Sequence, residues 1–243
     1  MTTHPIARRL FIVGAASLAL SACGGLIGPP EDGSIYVVRP VFPPAAQAPQ
    51  APKVSWSLAL LRPDVPGGLE SDRVALVQPD GTMDFFAKAT YPDRLPATVQ
   101  RALLDGFEAS GRIDAVAREE DALHSDYNLL IEVKDFSAHY ATADSIPTVS
   151  VSLMARLTTA HGRKILAAKP VLVTGTVSAN SAGAVVAALQ QALGQAVTQV
   201  VTWTLESAPA VVPGQSVETA SPGKPAEQLL HDVTRGSGKK APQ

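Results

Sequence analysis

The chain is short of the residues that most often announce chemistry. Its 243 residues include one cysteine, Cys23, so an intramolecular disulfide framework and a cysteine-rich zinc or iron–sulfur site are both excluded. Charge of one sign is missing as well: 20 basic side chains stand against 22 acidic ones, with none of the basic excess that binds a phosphate backbone, so no nucleic acid is expected as partner. Aromatics make up 5%, which predicts a core of small aliphatic side chains with few large anchors. The five histidines, His4, His124, His139, His161 and His231, are scattered, and no two stand three or four residues apart as metal ligands on a helix do. A nucleophile elbow, a dinucleotide fingerprint and a phosphate loop are also missing. The acidic run Glu119-Glu120-Asp121 reads as a solvated patch. Asp126, Asp135 and His139 could in principle meet, but the sequence nominates no nucleophile to join them. No catalytic, cofactor or metal residue is therefore assigned, and the chain is not expected to be an enzyme.

What is present begins at the N-terminus. Arg8 and Arg9 precede an apolar run from Leu10 to Leu20, followed by small residues. That is the charge, apolar, small order of an export signal, too short to span a bilayer. Arg8-Arg9-Leu10-Phe11-Ile12 also fits a twin-arginine signal. The run ends in Leu20-Ser21-Ala22-Cys23, which resembles the bacterial lipobox, where lipid is attached to the cysteine thiol and the chain is cut before it. Residues 1–22 are thus expected to be a signal peptide and Cys23 the lipidation site. Cleavage there removes two basic residues and no acidic one, leaving a net charge of −4. Such a body has no electrostatic pull toward anionic lipid, so acyl chains must anchor it. Gly24, rather than aspartate, after the cysteine favours the outer membrane, facing the periplasm, over the inner one.

Residues 23–53 are rich in proline and read as a semi-rigid tether, with Ile35 to Val38 as a short edge strand ending before Pro40. Residues 207–243 hold five prolines and no aromatic residue, and read as a disordered tail. Between them, residues 54–206 are enough for one domain. Ser57–Leu61 is expected as a strand. Arg73–Val77 and Thr82–Phe86 form a hairpin around Asp80-Gly81. Leu95–Ser110 is a helix with Pro96 in its first turn, a Val99, Leu103, Phe107 stripe and Gly111 as its stop. Ile113–Ala117 is a short strand. Tyr127–Phe136, Thr148–Leu157 and Ile165–Val177 are longer strands with period-two alternation, the last two joined at His161-Gly162-Arg163.

The final helix, Gly183–Leu205, carries no charge in 23 residues and needs separating from a membrane span. Gln191, Gln195, Gln199 and Thr202 form one polar stripe, opposite Leu189, Leu193, Val197, Val200 and Thr204. An amphipathic helix lying on a sheet fits better than a span. Its neutral stripe has no charge to desolvate, which suits either a partner or oligomer face or an ordinary exposed surface.

In order and spacing these pieces resemble the ABC-type transport auxiliary lipoproteins, the PqiC-like group that accompanies transporters with mammalian-cell-entry (MCE) domains. The likeness runs through the lipobox, Tyr36-Val37-Val38-Arg39-Pro40, Leu58-Ala59-Leu60-Leu61-Arg62-Pro63, and Gly68-Leu69-Glu70-Ser71-Asp72-Arg73-Val74. It continues through Tyr91-Pro92-Asp93-Arg94-Leu95-Pro96, Ser110-Gly111-Arg112-Ile113, Asp126-Tyr127-Asn128-Leu129 and Val201-Thr202-Trp203-Thr204-Leu205. Tyr91 is a departure, since the family often has tryptophan there, and the extension after Glu206 lies outside the family core. The resemblance implies a mixed α+β domain, a mostly antiparallel sheet covered by two helices, similar to the TolB amino-terminal domain. It also implies a lipid-transport role beside an MCE protein with its permease and ATPase, membrane attachment through the N-terminal lipid, and in some members a homo-oligomeric ring. The competing expectations are a periplasmic lipid carrier with its own cavity and an envelope-assembly scaffold.

Overall fold

In the computed structural model, residues 33–42, 52–121, 124–161 and 164–209 are described. The signal peptide, Cys23 and the tail beyond Pro209 lie outside them, as does part of the turn at His161-Gly162-Arg163.

Three long antiparallel strands, β6 (Tyr127–His139), β7 (Thr148–Thr159) and β8 (Ile165–Thr176), make the body of the sheet. Their alternation puts Leu129, Ile131, Val133, Val151, Leu153 and Ala155 on the buried face and Ser150, Ser152, Met154 and Arg156 on the other. A bulge between Val133 and Asp135 moves the buried set of β6 from odd to even numbers, so Phe136 and Ala138 are buried in turn. The other side of β6 is shared. β2 (Leu58–Leu60) runs parallel to its start at Tyr127–Leu129, and β3 (Arg73–Val77) runs parallel to its end at Ala138–His139. β5 (Val116–Arg118) extends the sheet beyond β2, and β4 (Met83–Thr90) and β1 (Ser34–Ile35) extend it beyond β3. The long ladders are antiparallel, and the parallel joins are short.

Two helices cover one face. α1 (Leu95–Ser110) has the bounds its sequence predicts, with Gly111 closing it in the left-handed conformation at φ 61°. From within α1, the buried Gln100 donates to the Leu60 carbonyl at 3.0 Å, tying the helix to β2. α2 (Ala182–Ser207) starts at Ser181, whose hydroxyl accepts from the Ala184 amide at 3.4 Å, and packs on β8, β7 and α1. By length and composition α2 could cross a membrane, but 61% of its most apolar window is buried within the fold. The helices meet at Gly106, where a Cβ would lie 2.4 Å from Val197 Cγ1.

Some bounds differ from expectation. β5 starts three residues later than the expected Ile113–Ala117 and ends one later, and Ile113 itself makes a bridge to Val54. β4 runs four residues beyond Phe86, around an irregularity at Lys88, whose φ is 57°.

Asp126 staples the start of β2 to the start of β6. Its carboxylate accepts from both the amide and the hydroxyl of Ser57, each at 2.8 Å, and its own amide donates back to Ser57 Oγ at 3.0 Å. Asp126→Ala strands a partly buried amide, so we expect a loss of about 2 kcal/mol. Thermal unfolding should show this as a drop of about 4–8 °C.

Tyr91 is buried edge-on to Phe136, 6.3 Å between ring centres, and its hydroxyl meets no hydrogen-bond partner among the described residues. Burial pushes the phenol above its usual range, so folding stability is intact below about pH 10 and is lost as pH rises past it. Tyr91→Phe should therefore gain about 1 kcal/mol at neutral pH. It should also flatten the alkaline limb of a stability–pH curve measured by urea unfolding.

Candidate functional site

The expected stripe is where the sequence places it. Gln191, Gln195, Gln199 and Thr202 are exposed on α2, while Leu189, Leu193, Val197, Val200 and Thr204 are buried on its opposite side. Two open grooves flank the stripe. One, of about 280 Å³, lies against Val173–Thr176 of β8. The other, of about 440 Å³, lies between Gln190, Gln191, Gly194, Gln195 and Thr198 on one side and Val41 on the other.

Val41 is there because part of the expected tether is packed on the domain. Residues 33–42 leave β1 as an extended strap that crosses the helix layer. The Tyr36 amide donates to the Thr90 carbonyl at 2.7 Å, and the Arg39 amide to Gln190 Oε1 at 3.0 Å. Tyr36 lies over Gly183, and Pro40 and Val41 pass so close to Gly194 that a Cβ there would be 3.3 Å from the Val41 carbonyl oxygen. Phe42 reaches Gly106 of α1, its ring 3.4 Å from the position of a Cβ there. Tyr36, Val38, Pro40 and Phe42 are half-buried, and the residues between them are exposed. Pro40, the one proline within the strap, suits its extended course, which needs no ladder hydrogen bond at that residue.

Asp135 and His139 do meet, at 2.8 Å between Oδ2 and Nε2, whereas Asp126 is held by Ser57 at the far end of β6. Ser137 joins them, donating to Asp135 Oδ1 at 2.6 Å and standing 3.1 Å from the same His139 nitrogen. This is not the relay of a serine hydrolase, in which the two imidazole nitrogens face serine and carboxylate separately. Ser137 is also wholly buried, so no substrate carbonyl can approach its hydroxyl. The three side chains form a polar clasp on the sheet.

On the same open face, Lys134 and Arg156 hydrogen-bond Glu132 and hold its carboxyl below the usual range. Glu119, Glu120 and Asp121 are exposed. Among the described residues no group of histidine, cysteine and carboxylate side chains could hold a metal ion.

Comparison with known proteins bears on these features as a set. The family model described as the ABC-type transport auxiliary lipoprotein component matches residues 36–201, a span that takes in the strap from Tyr36 and most of α2. A crystal structure of a Xanthomonas campestris protein is similar at 30% identity and a TM-score of 0.66, covering 72% of this chain and 95% of that one. A crystal structure of a second, uncharacterized protein is similar in fold, with a TM-score of 0.56 at 16% identity, covering 72% of this chain and 99% of that one. Among curated proteins, an uncharacterized protein of Bradyrhizobium diazoefficiens is 29% identical over 178 residues, 73% of this chain. The chain spans about half the length of that relative, matching 46% of it.

Proposed function

The chain belongs to the family of ABC-type transport auxiliary lipoprotein components, and from that premise we propose that it is the lipid-anchored accessory subunit of an MCE-type transporter moving lipids across the cell envelope. The observation that carries this reading is the join of two features. A lipobox ends at the only cysteine in the chain, and the domain that follows matches the family from Tyr36 onward. In this reading acyl chains on Cys23 hold the protein at the outer membrane, facing the periplasm. The folded body docks the end of an MCE tunnel, and lipid passes between the membranes along that bridge. A neutral α2 face with open grooves lined by glutamine and threonine supports docking, because no fixed charge has to be desolvated when it is covered.

The test is an affinity purification of the tagged full-length protein from detergent-solubilised envelopes, with bound proteins identified by mass spectrometry. Recovery of an MCE protein together with its permease and ATPase is expected. Recovery of the lipoprotein alone, or with unrelated envelope proteins, would replace this reading with that of a carrier or a scaffold.

A further inference from the structure

We infer that the outer row of the strap forms the surface on which the domain rests against the lipid bilayer. The inference builds on the Cys23 anchor proposed above and adds which side of the body meets the membrane.

The strap is apolar on its inner row and, apart from Arg39, on its outer row. The inner row, Tyr36, Val38, Pro40 and Phe42, is spent on the helices. The outer row holds Ile35, Val37 and Val41, which are 68%, 51% and 85% exposed. An extended segment lying on a domain surface needs apolar residues only on its inner row. Here three of the seven large exposed apolar residues among those described fall within one seven-residue stretch. Such a concentration marks a surface that something covers.

The place of this row in the chain favours lipid as the cover. Gly33, where the described strap begins, stands ten residues after Cys23. Ten residues span at most about 33–36 Å even when fully extended. With the strap docked, the body cannot swing farther from the anchor than that leash allows. A tethered surface meets the bilayer at high effective concentration, so a contact too weak to persist from solution persists here.

The chemistry of the row agrees. Arg39, exposed in the same row, offers a guanidinium to a lipid phosphate. The mature net charge of −4 gives no general attraction to anionic lipid, which leaves the apolar row to set the orientation.

Cys23 is the only cysteine, so the chain from Cys23 to Gln243 can be coupled through it to a maleimide lipid in phosphatidylcholine vesicles. Quenching by brominated acyl chains is then compared in two variants, each against the unsubstituted coupled chain. Val41→Trp probes the strap. Leu172→Trp probes an equally apolar residue, 66% exposed, on the sheet face away from the helices. We expect the added fluorescence of Val41→Trp to fall about twofold and that of Leu172→Trp to stay nearly unchanged, as for a body seated by one face at the interface. Adding Ile35→Ser and Val37→Ser to Val41→Trp should restore most of the lost signal.

Equal quenching at the two positions, stronger quenching at Leu172→Trp, or none at Val41→Trp would overturn the inference, and the last result would assign the row to a protein partner. The coupling is chemical, so the outcome is independent of acylation in the cell. Finding Cys23 unmodified in cells would remove the anchor reading and leave the vesicle measurement to be judged by itself.

Discussion

Replacing Cys23 by serine should abolish the mature, membrane-extracted form of the protein. The argument is one of competing areas. Each acyl methylene buried in the bilayer contributes about 0.8 kcal/mol, so two chains hold firmly where one is marginal. The body offers nothing comparable, because its mature charge is −4 and its exposed apolar row is three side chains long. In Cys23→Ser cells, incorporation of labelled fatty acid should vanish, and the protein should appear in the soluble fraction or as a precursor longer by the 22 residues of the signal. The purified domain should keep its melting temperature, since Cys23 lies well before the first described residue, Gly33. A mature Cys23→Ser protein still extracted with the membrane would show that the anchor is elsewhere.

Gly106→Val should loosen both helices and the strap at once. Three elements converge on that position. A Cβ there would lie 2.4 Å from Val197 Cγ1 and 3.4 Å from the Phe42 ring, so a branched side chain must push α2 and the strap away from α1 together. Overpacking of this kind costs about 1–3 kcal/mol. Valine recovers only part of that through its better helix propensity. We expect a net loss of about 2 kcal/mol and a melting temperature lower by about 4–8 °C. The strap should also open, making the Tyr36–Val37 bond accessible to chymotrypsin in an otherwise folded protein. A variant with unchanged melting temperature and an intact strap would mean that α1 and α2 do not pack at Gly106.

The parts of this fold that were legible in the sequence are those whose signals are local. Leu95–Ser110 carries its own start, stripe and stop in Pro96, the Val99, Leu103, Phe107 spacing and Gly111. Asp80-Gly81 sets its hairpin, and the long strands alternate. Even the bulge in β6 leaves a trace, since Tyr127, Leu129, Ile131 and Val133 keep one parity and Phe136 breaks it. The parallel joins of β2 and β3 to the two ends of β6 depend on contacts distant in sequence, and no residue of β2 encodes which strand it will meet.

The strap was legible only at its start, where an edge strand was expected at Ile35 to Val38 and a shorter one forms at Ser34–Ile35. Its docking was not, because its inner row becomes visible only against Gly183, Gly194 and Gly106, which are far away in the chain. Of the candidate surface, the glutamine stripe could be read because a helix repeats. Its neighbours at Val41 and in β8 could not.

The edge of the sheet bears on how such a protein survives crowding. Among the described residues β8 pairs with β7 on one side only, and its sequence, Ile165–Thr176, holds a single charge, Lys169. A lipid-held population diffuses in two dimensions, where copies collide edge to edge far more often than they would in bulk solvent. A long aliphatic edge under those conditions is a template for aggregation. Pro170, opposite Met154 at the middle of β8, interrupts that template. A proline is tolerated within a strand when its nitrogen faces away from the neighbouring strand, so the free edge of β8 lacks a donor at mid-length and an incoming strand cannot zip along it. Next to Lys169, whose charge resists a dry strand pair, Pro170 keeps a sticky sequence soluble at a crowded surface.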